Sequence, residues 1–385
     1  MWPTNFLIRT RQSCAVRKVA LSLVFTCLLA TPSWVTAQTD DPATPADGAG
    51  NYDGLSLEEA LSKALEIVTD LEDSDRDPDV LLEETPEYVE TMVLVERVLE
   101  IDPLNKTAGY LNGRLLILTG RPRAALPMIE EYVADPAGQN NWRAYKILGD
   151  LYLASFPKHA VSKYRQAIAL AENEPEPVIG LARAQLRLNN AKPAVERAQD
   201  AIRLDKKGEA SYQATLAQAL MLDKKFEDAA RAAEAAVKMS EGDIARDPSN
   251  KLLLAEMQEH YDLRLQCVSQ LAGLYPERAD YIVQLAQIWQ DKADLERVVS
   301  YHEAIVIIER SRTNPLLKVS PELLYEQARL NRLVSRDDKA MTALEELLQL
   351  NPDFAPAIEL KKIIEAENGG LTEMSTTSAA GGIGQ

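Results

Sequence analysis

Histidine and cysteine are scarce in this chain of 385 residues, three of each, and their scarcity removes most metal and nucleophile chemistry. His159, His260 and His302 are too far apart for any two to form a ligand pair one helical turn apart. His302 is expected at a packed core position. Cys14, Cys27 and Cys267 form no Cys-x-x-Cys motif, and neither a Gly-rich phosphate loop nor a Gly-x-Ser-x-Gly elbow occurs. Aromatic residues make up only 6%, glycine numbers 17, and no run alternates apolar and polar residues between turn signals. A β-barrel or β-sandwich is therefore excluded. No catalytic residue and no cofactor can be argued from these residues. Positive charge is also in deficit: 42 Lys and Arg stand against 59 Asp and Glu, a net charge of −17. Such a surface repels nucleic acid and anionic lipid.

What is present begins with a targeting pattern. Arg9, Arg11, Arg17 and Lys18 precede an apolar run from Val19 to Ala30, and Val35-Thr36-Ala37 has the small-x-small form that signal peptidase reads. The run is shorter than the roughly 20 residues a spanning helix needs. Export with cleavage after Ala37, to the periplasm or beyond, is the expectation. Loss of residues 1–37 leaves 38 basic and 59 acidic residues, a net charge of −21. Cys267 is then the only cysteine, expected as a small buried hydrophobe. Residues 38–54, rich in Asp, Ala, Pro, Thr and Gly, read as a flexible linker. Ser56 and Glu59 form a capping box for a helix over 55–71.

Small residues then recur at a fixed interval. Ala125, Ala160, Ala194 and Ala229 are spaced by 35, 34 and 35 residues, and Gly113, Gly149, Ala182 and Ala217 precede them by 11 or 12. A period of 34 with two helical patterns per unit marks a helix-turn-helix solenoid, in which each pair buries its apolar face on a neighbour. Small residues are needed where two helices cross at about 8–10 Å. The unit Tyr145, Leu148, Gly149, Tyr152, Ala160, Tyr164, Ala167 resembles the tetratricopeptide repeat. Partial matches follow at Leu181, Ala182, Ala194, Ala198 and Ala201, and at Leu216, Ala217, Phe226, Ala229, Ala233 and Ala236. Further units fall at Ile282, Leu285, Ala286, Trp289, Val298, His302 and Ile305, and at Leu324, Ala328, Ala340, Leu344 and Leu347. Asp102-Pro103, Asp135-Pro136 and Asn351-Pro352 end helix pairs, since proline cannot continue a helix. Residues 250–274 read either as an extra pair or as one long helix. The resemblance covers about residues 87–367. It implies an all-α, right-handed superhelical solenoid of stacked antiparallel helix pairs. The expected domain is 55–367, with a C-terminal capping helix and a disordered tail over 368–385.

Two candidate sites follow. Asp73, Asp75, Asp77, Asp79 and Glu84 stand in the ligand order of an EF-hand loop, but Pro78 occupies the place where that loop turns on Gly. An acidic loop that holds no metal is the expectation. The second site is implied by the resemblance: residues three before and one after each small crossing residue line a concave groove. Carried over, these are Tyr110 and Arg114, Lys146 and Asp150, Ile179 and Arg183, Ala214 and Gln218, Val283 and Gln287, and Tyr325 and Arg329. In a chain so acidic, Arg114, Lys146 and Arg183 read as clamps for an acidic or carboxylate-terminated protein segment, with Tyr110 and Tyr325 as flat contacts. The expected protein is a non-enzymatic exported scaffold for cell-envelope assembly or secretion, without nucleic acid and without a stable membrane span after cleavage. The alternative is an accessory subunit of an envelope enzyme or of a polysaccharide synthesis or export complex.

Overall fold

Proline and the capping amides set where the helices begin. A computed structural model describes residues 54–73, 82–295 and 301–379, with side chains described for 54–72, 82–292 and 301–367. The signal pattern, the linker up to residue 53, Asp75, Asp77, Asp79, the side chain of Asp73 and Val298 lie outside what is described.

Among the described residues there are sixteen α-helices and no strand. Neighbours in the chain pair: α1 (Leu57–Asp73) with α2 (Pro86–Ile101), α3 (Lys106–Leu118) with α4 (Pro122–Ala134), α5 (Trp142–Leu153) with α6 (Pro157–Leu170). Next come α7 (Pro175–Arg187) with α8 (Ala191–Leu204) and α9 (Ala210–Leu222) with α10 (Phe226–Arg246). A single helix, α11 (Lys251–Leu274), intervenes before α12 (Ala279–Leu295) with α13 (His302–Ser311), α14 (Pro321–Leu333) with α15 (Asp337–Leu350), and α16 (Ala355–Ala379). Five helices carry Pro in their first turn ahead of any other, at 86, 122, 157, 175 and 321, where no intrahelical N–H is lost. Asn105, Asn141 and Asn250 accept backbone N–H groups at the starts of α3, α5 and α11. Ser56 and Glu59 exchange the two bonds of the capping box, 2.8 and 3.2 Å, and hydrogen bonding from Ser56, its backbone N–H first and then its side chain, holds the Glu59 carboxyl below its ordinary range.

The first helix of four pairs ends in the same way. Gly120, Asn189, Lys224 and Ser335 have φ of 73°, 57°, 61° and 58°. The next amide in each case reaches back five residues, as Arg121 does to Leu116 and Lys225 to Leu220. This is the Schellman stop, and it fixes how sharply each chain turns into its second helix.

The crossing residues lie where the period places them. Ala125, Ala160, Ala182, Ala194, Ala217, Ala229, Ala286, Ala328 and Ala340 are all fully buried. A further small residue is Gly180: the Tyr164 ring lies between α5 and α7, so that a Cβ on Gly149 would fall 2.5 Å from Cε1 and one on Gly180 2.6 Å from Cζ.

Of the two readings of residues 250–274 the single helix is the one found, over Lys251–Leu274, because nothing in Glu259 to Asp262 breaks it; Ala255 is exposed. The helix expected over 55–71 is present as α1 and pairs with α2. Two expectations change. Helix α16 continues to Ala379, so the tail expected to be disordered from 368 is helical up to that residue. No proline stops it, and a nucleated helix gains one hydrogen bond per added residue. His302 is exposed, since it stands first in α13, whose buried side begins at Ala304.

Candidate functional site

First helices stack on first helices: α1 on α3, α5 on α7, α7 on α9, α9 on α11, and α12 on α14. The groove residues sit on this face but do not share one surface. Tyr110 is 2% exposed and stacks on Tyr132 of α4, with ring centroids 4.3 Å apart; burial pushes its hydroxyl up to about 12. Arg114 is 1% exposed. Its Nε and Nη2 donate to the two carboxylate oxygens of Glu72 at 2.8 and 2.5 Å, and Nη2 also donates to Thr69 Oγ1 at 3.2 Å. The expectation that Arg114 clamps a partner and Tyr110 offers it a flat face is thereby overturned. Helix α1 is itself the first helix of a preceding pair, and it brings Thr69 and Glu72 to the place where a ligand's carboxylate would have to lie.

Other positions are closed more loosely. Lys146 pairs with Asp150 at 3.1 Å and lies 3.8 Å from Glu176. Burial works against its charge, but Asp150, Glu176 and the more distant Glu72 outweigh it and raise the pKa. Asp150 also accepts the Tyr164 hydroxyl at 2.6 Å. Ile179 and Ala214 are buried. Tyr325 packs on Phe354, 5.6 Å between centroids. Arg329 donates to both oxygens of the buried Glu326 and to Gln290. Val283 is half-buried and Gln287 exposed.

Arg183 and Gln218 do come together. They line a cleft of about 520 Å³ across α7, α9 and α11. Its floor is one face of α9, where Ser211, Ala214, Thr215 and Gln218 follow at helical spacing. Arg183 Nε donates to Thr215 Oγ1 at 3.3 Å, and that hydroxyl donates to the Ser211 carbonyl at 2.8 Å. Arg183 and Arg187 rise from α7 on one side, Glu256 and Glu259 from α11 on the other. Among the described residues no carboxylate lies within 4.0 Å of either arginine's side-chain nitrogens.

The α11 wall also holds a buried histidine that the repeat pattern passes over. His260 is 4% exposed; its Nδ1 lies 2.7 Å from Ser240 Oγ and its Nε2 3.8 Å from Glu256 Oε1. Burial lowers its pKa below 6.5, so the ring is neutral near pH 7. Burial, then Asp243 and Glu259, raise the Glu256 carboxyl, with Arg183 opposing. Ser240 lies behind the ring and outside the cleft lining, so this Ser–His–Glu contact presents no nucleophile to the cleft. Once 251–274 is read as one helix, His260 is legible: it falls three residues after Met257 and seven before Cys267, on the buried stripe.

The helix pairs, their period and their alanine crossings define a tetratricopeptide-like solenoid. The chain is similar to a tetratricopeptide repeat protein from Parabacteroides merdae, at 12% identity over 80% of this chain and 98% of that one, with a TM-score of 0.38. It is also similar to PilF of Pseudomonas aeruginosa (14%, 80% and 98%, TM-score 0.36) and to yeast Tom70 (16%, 86% and 68%, TM-score 0.39). At these identities and scores the fold assignment rests on the helix pairing itself. No family model and no curated protein matches the sequence.

Proposed function

We propose that this protein is a non-enzymatic scaffold, exported from the bacterial cytoplasm, that holds a segment of another protein on its first-helix face in cell-envelope assembly or secretion. The observation that carries the reading is the cleft at α7, α9 and α11. There Arg183 and Arg187 have no ion-pair partner among the described residues, while Arg114, Lys146 and Arg329 are paired within the chain. A carboxylate of the partner segment fits these two arginines, because guanidinium groups bind carboxylates through paired, charge-assisted hydrogen bonds. Export rests on the basic, apolar and small-x-small pattern of residues 1–37.

A photo-cross-linking residue placed at Gln218, which is exposed on the cleft floor, tests the proposal in cells that make the full chain. Lys192, exposed at the start of the second helix α8, is the control position. A discrete protein adduct from position 218 alone, on a chain whose N-terminus is Gln38, is the expected result. Equal adduct patterns at both positions, or an uncleaved chain retained in the cytoplasm, would overturn it.

A further inference from the structure

Resting on the proposed scaffold function, we propose that the segment held in the cleft carries an acidic and a basic residue together. Its carboxylate meets Arg183 and Arg187 of α7, and its cation meets Glu256 and Glu259 of α11.

The two walls carry opposite charge and close no ion pair on each other, although Arg183 is near enough to oppose the rise of the Glu256 carboxyl. Among the described residues neither Arg183 nor Arg187 forms an ion pair, Glu259 forms none, and Glu256 reaches His260 at 3.8 Å. Elsewhere in the chain such groups close on one another, as in Lys63–Glu90, Lys106–Glu131 and Arg312–Glu346. Here α9 stands between them, for α7 and α11 each pack on it. Two helix spacings of about 8–10 Å separate the walls. The floor is neutral, with Ser211, Thr215 and Gln218 offering hydrogen bonds but no charge.

A purely acidic segment would satisfy the arginines and set its remaining carboxylates against Glu256 and Glu259. Like charges brought together at an interface weaken binding and exclude the wrong partner. A purely basic one fails in the mirror sense. The α11 wall already carries surplus negative charge, since Asp243 and Glu259 act with burial to raise the Glu256 carboxyl. A cation from the partner relieves that repulsion. An extended segment rises about 3.3 Å per residue. After the reach of the side chains is allowed for, the distance between the walls places its two charges about three to six residues apart.

The test uses the full chain and a displayed library of random 12-residue peptides, with the selected peptides then synthesised and titrated by fluorescence anisotropy. Peptides carrying one acidic and one basic residue at that separation are expected to be enriched. Their affinity should fall as salt rises. Glu256→Lys with Glu259→Lys should weaken them at least about tenfold and transfer selection to acidic-only peptides. Arg183→Glu with Arg187→Glu should transfer it to basic-only peptides. Should the change at Glu256 disturb α11, seen as lost helicity, the exposed Glu259→Lys alone is read in its place. Enrichment of acidic-only peptides that are indifferent to the Glu256 and Glu259 changes defeats this inference and leaves the scaffold reading standing. No enrichment over a heat-unfolded sample defeats both.

Discussion

Replacing Gly180 by Ala should destabilise this protein, although alanine favours a helix over glycine by about 0.8–1 kcal/mol. The opposing effect is steric. A Cβ at 180 would lie 2.6 Å from Cζ of Tyr164 and 2.8 Å from Cδ1, and these are ring atoms that cannot bend aside. The ring is fully buried, and Gly149 presses on its Cε1 from α5. Overpacking of this kind costs about 1–3 kcal/mol, so after the gain in helix propensity the net loss is up to about 2 kcal/mol. The sign reverses once the ring is gone. Tyr164→Ala alone opens a cavity at a cost of about 3–5 kcal/mol. Adding Gly180→Ala to that variant should restore about 1–2 kcal/mol, from helix propensity and from one methyl group that now fills space. The coupling between the two sites is therefore about 1–4 kcal/mol, outside additivity for independent positions. Gly113→Ala is the control: its Cβ would meet only Cδ1 of Ile129 at 2.7 Å, the free end of a flexible side chain, so its cost is within about 0.5 kcal/mol. Guanidinium unfolding followed by far-UV circular dichroism reads all four variants against the parent. The reasoning fails if Gly180→Ala raises the midpoint of the parent chain, or lowers it equally with and without the Tyr164 ring.

The remaining predictions concern charge, pH and turns. Glu72→Ala should cost about 2–4 kcal/mol by removing the carboxylate that accepts both Nε and Nη2 of the buried Arg114, the lower end reflecting the 32% exposure of the Glu72 side chain, whereas Glu72→Leu with Arg114→Met should lie near the parent; equal losses in thermal melts would argue against this pairing. His260 has a lowered pKa, so the stability it supports is whole above about pH 6.5 and is lost as pH falls through its folded value, because the unfolded chain takes up the proton first. Glu209 and Glu256, whose raised carboxyls face the same region with Glu259, Asp243 and Arg183, act in the opposite sense, stabilising at low pH and losing that contribution as pH rises. The melting temperature of His260→Gln should accordingly fall less than the parent's between pH 7.5 and about pH 5.5; parallel curves would remove His260 from the account. Lys224→Gly should gain about 0.5–1 kcal/mol, since a residue at φ 61° is strained unless it is glycine; a loss in denaturant midpoint would show that its side chain does more than the turn needs.

The repeat was legible because its determinants are local. An alanine at a helix crossing, a proline in a first turn and an Asp-Pro at a stop each act within one unit, and the period multiplies the signal. Ala125, Ala160, Ala182, Ala194, Ala217, Ala229, Ala286, Ala328 and Ala340 fall buried as read, and Ala255 does not. Contacts between units leave no such trace. Arg114 and Glu72 are 42 residues apart, and no spacing rule joins them. The second helix of one pair also reaches the first helix of the next, which is how Tyr164 comes to fix both Gly149 and Gly180. Gly180 read alone is only a weak helix former. His302 was misplaced for a related reason: the unit's second helix starts later than the period suggests, so its phase shifts against the buried face.

The site follows the same division. The rule that one side of each first helix lines the groove is local, and two of the residues it names, Arg183 and Gln218, line the cleft. Whether a cation on that side is paired depends on its own helix and on the neighbouring first helix, and the answer differs along the stack. Helix α1 supplies Glu72 to Arg114, and α7 supplies Glu176 to Lys146. Helix α9 offers Arg183 only the Thr215 hydroxyl. The missing charge arrives one helix further on, at α11, where Glu256 and Glu259 stand too far away to close the pair. An insertion of one long helix in place of a pair thus leaves two cations and two anions facing across a neutral floor. A mixed-charge segment is the occupant that completes both walls at once.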